Sequence, residues 1–150
     1  MSDRTLLQDV RTALRWDPRI QSQDIASAVY GGIVTLRGSV GSYREHEDAK
    51  DIARQVVGVN GVVNELAVHL AERDQRPDRE IAFEATRALM MNTAVPAPRL
   101  MVSVNEGYVT LAGTVDWLYE RQAALHTIRN LPGIRGIIDQ VVVQPHEKVA

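Results

Sequence analysis

The chain has no cysteine. Disulfides, thiolate nucleophiles and thiolate metal ligands are therefore excluded, while the redox compartment stays open. It also has no excess of positive charge: 17 Lys and Arg stand against 19 Asp and Glu, a net of −2, with no basic run. That argues against a non-specific nucleic-acid binder, whose affinity comes mostly from neutralising phosphates. No apolar run is long enough to span a membrane. Met1-Ser2-Asp3-Arg4-Thr5 leads straight into a helical pattern, with no apolar signal core and no cysteine to lipidate. The expectation from these absences is a soluble, cytoplasmic protein.

Metal and catalytic patterns are missing as well. His46, His69, His126 and His146 share no ligand spacing of the kind zinc requires and read as surface residues. No nucleophile has a base and an orienting partner in view, so no enzyme, cofactor or metal site is expected. The glycine pairs match neither a P-loop nor a dinucleotide fingerprint.

What is present is a repeat. Gly31-Gly32-Ile33-Val34-Thr35-Leu36-Arg37-Gly38-Ser39-Val40 returns as Glu106-Gly107-Tyr108-Val109-Thr110-Leu111-Ala112-Gly113-Thr114-Val115, displaced by 75 positions. Each copy reads as a turn, an alternating strand and a terminating glycine. The same displacement carries Asp3, Leu14, Glu45, Ala49, Gly58 and Val68 onto Asp78, Leu89, Glu120, Ala124, Gly133 and Val143. Residues 1–70 and 78–145 are thus two copies of one small domain, joined by a polar linker at 71–77, with a tail at 146–150. Cores this small sit near the lower limit for independent stability, so the halves are expected to lean on each other.

Within a copy, the first helix starts at a Ser2 or Asp3 cap, buries Leu6, Val10, Ala13 and Leu14, and stops before Asp17-Pro18. Ile25, Ser27 and Val29 form the inward side of a strand, and Gly31-Gly32 turns it into an antiparallel hairpin. Ser42 with Glu45 predicts a capping box for a second helix that buries Ala49, Ile52, Ala53 and Val56. Gly61 opens a third strand in which Leu66, Val68 and Leu70 alternate. The second copy predicts helices over about 78–91 and 116–131, and strands over about 100–104, 107–115 and 137–143. The class is α+β: two tandem α-β-β-α-β units, each with two helices on a small mixed three-stranded sheet.

The Gly-x-Val-Thr-Leu-x-Gly-x-Val core resembles the BON family. So do the endings Val57-Gly58-Val59-Asn60-Gly61-Val62-Val63-Asn64 and Pro132-Gly133-Ile134-Arg135-Gly136-Ile137-Ile138-Asp139. The resemblance implies a non-enzymatic module, in proteins tied to osmotic stress, that contacts phospholipid or other envelope components. It implies further that the first helix of a repeat makes the lipid contact. One cytoplasmic relative binds potassium, so an ion sensor using backbone carbonyls is an alternative reading, and a structural oligomerisation module is another.

Candidate binding residues come from positions where the copies differ. Phe83 and Met90, seven apart, project from the face of their helix opposite the core stripe Ile81, Ala85, Ala88 and Leu89, with Arg79 and Arg87 beside them. Their counterparts are Gln8 and Arg15. At the start of the other helix Trp117-Leu118-Tyr119 replaces Ser42-Tyr43-Arg44, and Leu125 replaces Lys50. Two readings stand for this added apolar surface. It packs against the other repeat or a second subunit in a homo-oligomer, or it enters a membrane surface while the arginines meet lipid phosphates. The outer sheet faces are also apolar, with Ala26, Ala28, Tyr30, Ile33 and Val63 in one copy and Met101, Tyr108, Ile138 and Val142 in the other. They are expected to be covered by a repeat or a subunit.

Overall fold

A computed structural model of the chain describes residues 2–144. Met1, His146 and the 146–150 tail lie outside the described residues. The chain divides into one compact unit ending at Ala71 and a second beginning at Glu72. The partition falls inside the polar stretch between the copies, where Glu72–Asp74 forms a single 3-10 turn.

The first unit runs α1 (Asp3–Trp16), β1 (Ile25–Tyr30), β2 (Ile33–Val40), α2 (Tyr43–Gln55) and β3 (Gly61–Val68). The second runs α3 (Asp78–Met91), β4 (Leu100–Asn105), β5 (Tyr108–Val115), α4 (Leu118–Arg129) and β6 (Gly136–Val143). In each sheet the middle strand pairs antiparallel with the strand before it and parallel with the strand after the second helix. The registers repeat with the sequence: Ile25 faces Gly38 as Leu100 faces Gly113, and Ile33 faces Gly61 as Tyr108 faces Gly136. The fold is therefore the α+β duplication expected from the sequence.

Alternation decides which side of each sheet receives the helices. Val34, Leu36 and Val40 are buried with Leu6, Val10, Leu14, Ala49, Ile52, Ala53 and Leu66 in one core. Val109, Leu111 and Val115 are buried in the second unit, as are Ile81, Ala85, Leu89, Ala124 and Ile128 on its helices. Full burial of such side chains stabilises by about 1.5–3 kcal/mol each, set against the entropy of ordering the chain.

Two local devices recur, one set within each copy. Gly31 and Gly32 have φ of 59° and 79°, and Glu106 and Gly107 have 50° and 84°. Positive φ at both central residues is what a tight right-twisted hairpin needs. Asp3 carboxylate oxygens accept from the Gly31 and Gly32 amides at 2.9 and 3.2 Å. Asp78 does the same for Glu106 and Gly107 at 2.9 and 3.0 Å. The Ser2-or-Asp3 question at the first cap is thereby resolved. Ser2 Oγ accepts from the Thr5 amide, and Asp3 is committed to the turn. The second device is the positive φ at Gly38 and Gly113 (118° and 136°), where a Cβ would lie 1.7 Å from the Asp24 carbonyl and 2.2 Å from that of Arg99.

Some boundaries differ from the sequence reading. α4 begins at Leu118 rather than Asp116, because Glu120 Oε1 accepts from the amides of both Asp116 and Trp117 and so caps the helix after them. β3 ends at Val68, which leaves Leu70 beyond the strand. Tyr30, Ile33, Val63, Met101, Tyr108, Ile138 and Val142 on the outer sheet faces are exposed.

Candidate interaction surface

α3 is amphipathic in an unusual way. Ile81, Ala85 and Leu89 are buried at helical spacing, yet Phe83 is 66% exposed and Met90 71%. Arg79 and Arg87 are exposed on the same helix. Neither arginine has a hydrogen bond or ion pair among the described residues, so both guanidiniums are available to an anion. Thr86, which lies between, spends its hydroxyl on the Ala82 carbonyl at 2.8 Å.

Trp117, Leu118 and Tyr119 are also exposed. The start of α4 is tied to the end of the 3-10 turn Ala97–Arg99, which leads into β4, by Arg99 Nη1 on Asp116 Oδ2 at 2.8 Å. Met90 lines a groove with Ala97, Pro98 and Leu100 from that same turn and strand. Met90 and Trp117 therefore belong to one end of the unit, where β4 begins and β5 ends. Phe83 lies about two turns back along α3, so it extends the apolar surface along the helix rather than into the Trp117 cluster.

The Trp117-Leu118 surface exists because a polar cluster of the first repeat is missing there. In that repeat Tyr43 Oη donates to Glu47 Oε1 at 3.0 Å and stacks on His46 with ring centroids 5.4 Å apart. His46 Nδ1 and Lys50 Nζ lie 3.3 and 3.4 Å from Glu47 Oε2. The hydrogen bond from His46, with the Lys50 charge and the Tyr43 hydroxyl, outweighs burial and pulls the Glu47 carboxyl down to about 2. His46 is thus half-buried in a network, not the surface residue that spacing suggested. The equivalent positions are Leu118, Arg121, Gln122 and Leu125, and Arg121 pairs with Asp139 instead.

Glu45 does more than the start of a helix requires. Ser42 Oγ caps α2 by accepting from the Glu45 amide at 3.1 Å. The return half of the expected box is not made: the carboxylate of Glu45, a residue only 7% exposed, takes the Gly41 amide and not that of Ser42, and reaches further. It accepts from the Gln21 amide (2.6 Å), the Ser22 amide (2.8 Å), the Ser22 hydroxyl (2.6 Å) and the Gly41 amide (3.1 Å). Burial would raise its pKa, but these four donors together hold it below the usual carboxylate value. Glu120 cannot copy this, because Pro96 and Ala97 stand at the matching loop positions and lack an amide hydrogen and a hydroxyl respectively. Comparing the two copies across that loop was the available signal.

Among the described residues no group of three or more His, Cys, Asp or Glu could hold a metal ion. None of the described helices is long and apolar enough to cross a membrane.

Two mixed sheets of this topology, each under two helices and each with its clamped hairpin, define a tandem α-β-β-α-β protein. The chain belongs to the BON domain family, whose model matches residues 2–69 and again 77–145. It is 28% identical over 141 residues to osmotically-inducible protein Y of Escherichia coli (strain K12), covering 91% of this chain and 70% of that protein. A solved structure of CdsD, a structural protein of the type III secretion system of Chlamydia trachomatis, aligns over 99% of this chain and 66% of its own. Its identity to this chain is 15%, with a TM-score of 0.42. The CdsD C-terminal domain aligns over 97% and 68%, at 15% identity and a TM-score of 0.40.

Proposed function

We propose that this protein is a non-enzymatic, stress-related binding module that contacts a phospholipid membrane surface, or an envelope partner presenting one, through α3. The observation that carries the reading is the exposure of Phe83 and Met90 on one helix face beside Arg79 and Arg87, where the first repeat has Gln8 and Arg15. An exposed Phe gains from being covered. Moving the exposed parts of Phe83 and Met90 into acyl chains supplies roughly 2–4 kcal/mol. Each arginine near an anionic surface adds about 1 kcal/mol. Apolar insertion with a basic rim is the pattern of a helix lying in a membrane interface. Trp117 and Leu118 extend the same apolar character at the Met90 end of the unit. The stress association is brought by the osmotically inducible relative.

Sedimentation with vesicles of anionic and of neutral lipid tests this. Phe83→Gln with Met90→Arg should abolish pelleting with anionic vesicles and leave the melting temperature unchanged. Replacing Arg79 and Arg87 should weaken binding and flatten its salt dependence, since screening acts on the charge term alone. Pelleting that survives the Phe83 and Met90 changes would move the contact elsewhere, with Trp117 next to be tested. A loss of stability or a change from oligomer to monomer would assign the face to subunit packing instead.

A further inference from the structure

Each repeat has a groove between its first helix and the free edge of its first strand, and the two grooves have diverged in chemistry. In the second repeat it measures about 260 Å³ and is apolar, with Met90, Ala97, Pro98 and Leu100 in its lining. In the first repeat it measures about 570 Å³, a size suited to a ligand. Its floor keeps Leu14 and Ile25, the equivalents of Leu89 and Leu100. Its walls do not. Arg11 and Arg15 stand where the other copy has Thr86 and Met90, and Ser22 and Gln23 where it has Ala97 and Pro98. The polar wall is held in place from behind, because the buried Glu45 carboxylate binds the Gln21 and Ser22 amides. That carboxylate is occupied, and the groove lining contains no Asp or Glu.

Three features describe the occupant. Arg11 and Arg15 are exposed and have no ion pair or hydrogen bond among the described residues, so the groove presents two open positive charges. Among the described residues β1 is an edge strand that pairs with β2 alone. Its outer row of amides and carbonyls is open to a further strand, the template that extended peptides use. Finally, the spacing matches. The Asp3 bonds to Gly31 and Gly32 place the start of α1 at the end of β1. The helix therefore runs antiparallel to the strand. Arg11 and Arg15 are one helical i, i+4 step apart, about 6 Å along the axis, and alternate residues of a strand are about 6.6 Å apart.

We propose that this groove takes an acidic extended segment of a partner protein, added as a fourth strand on β1. Two carboxylates, two residues apart on the strand, would face Arg11 and Arg15. The assignment concerns the first repeat and stands apart from the lipid contact assigned to α3.

Fluorescence polarisation of the full chain with a labelled, capped heptapeptide, TVEVEVT, tests it. Saturable binding is expected, with at least a tenfold loss for TVVEEVT, whose adjacent acids point to opposite faces. A comparable loss is expected when alternate residues of TVEVEVT are N-methylated, because strand hydrogen bonds are then blocked while the carboxylates remain. Arg11→Glu with Arg15→Glu should lose TVEVEVT and gain TVKVKVT, a reversal that misfolding could not produce. Phe83→Gln with Met90→Arg should leave peptide binding unchanged, which separates this site from the lipid surface. No saturable binding up to millimolar peptide overturns the proposal. Equal binding of the N-methylated peptide, or full competition by millimolar inorganic phosphate, also overturns it and makes the groove a simple anion site. Competition by anionic vesicles alone would make it a lipid headgroup site and overturn it as well.

Discussion

Glu45 and Glu120 occupy the same position in the two repeats but do different amounts of work, which makes them an internal control. Glu45→Ala removes the acceptor for three backbone amides and one hydroxyl, linking residues 21, 22 and 41 to α2. A hydrogen bond to a charged group is worth about 1.5–3 kcal/mol, and a donor left buried costs about 1–3 kcal/mol. Gln21 and Gly41 are exposed enough for water to replace the carboxylate, so the four bonds do not sum. An expected cost of about 2–4 kcal/mol follows. Glu120→Ala removes only the two cap bonds to Asp116 and Trp117, at a helix start with a typical value of about 1 kcal/mol. Hydrogen exchange read by mass spectrometry in rising urea reports the two repeats separately through their own peptides. Opening of peptides from the first repeat should become easier in Glu45→Ala by clearly more than those of the second repeat do in Glu120→Ala. Equal costs would refute the view that Glu45 holds the loop.

Acid should reproduce part of that substitution. The folded-state pKa of Glu45 is lowered, and that of Glu47 is lowered to about 2. The unfolded chain then takes up protons first as pH falls, so the stabilisation is fully present above about pH 4.5 and is lost towards pH 2. First-repeat peptides should lose protection across that window, and Glu45→Ala should lose less of it than the parent chain. A first repeat as stable at pH 2.5 as at pH 6 would refute the linkage.

Two further outcomes concern the scaffold. Leu111 is fully buried on the central strand of the second sheet, so Leu111→Ala should cost roughly 2–5 kcal/mol in a urea titration; a change under half of one unit would mean that strand is not central. Gly38→Ala would bring a Cβ to 1.7 Å from the Asp24 carbonyl at a φ of 118° and should destabilise the first repeat by more than about 2 kcal/mol. Gly41→Ala, with nothing within 4 Å and its amide still able to donate, should stay within about 0.5 kcal/mol of the parent.

The fold was legible because its determinants are short-range and present twice. Val34-Thr35-Leu36 alternates, Gly31-Gly32 can only turn, and the helices carry their stripes at 3.6-residue spacing, so element order and facing followed directly. The exposure of Phe83 and Met90 was legible for the same reason, since helical phase alone puts them opposite Ile81 and Ala85. What was not legible depends on distant partners. Glu45 looked like a cap because its capping partner is three residues away. Its loop partners are 23 and 24 residues away, and no local pattern joins them. His46 looked like a surface residue because its contact with Asn64, 18 residues on, appears only once α2 lies on β3, although its stacking partner Tyr43 is one turn away on the same helix.

The duplication also separates what the scaffold requires from what each copy has been free to change. Asp3 and Asp78 make the same turn clamp, Gly38 and Gly113 the same close approach, and Leu14 and Leu89 the same groove floor. Each of these is accounted for by packing or bonding in both units, so none of them needs a ligand to explain it. Among the positions that differ, one set is grouped in space. Arg11, Arg15, Ser22 and Gln23 surround one groove, and Thr86, Met90, Ala97 and Pro98 surround its twin. Arg11, Arg15 and Gln23 are exposed at the rim, where the core does not require them, whereas Ser22 is also tied to the Glu45 carboxylate. A polar, cationic groove in one repeat and an apolar helix face and groove in the other therefore point to two different surfaces recognised by one chain.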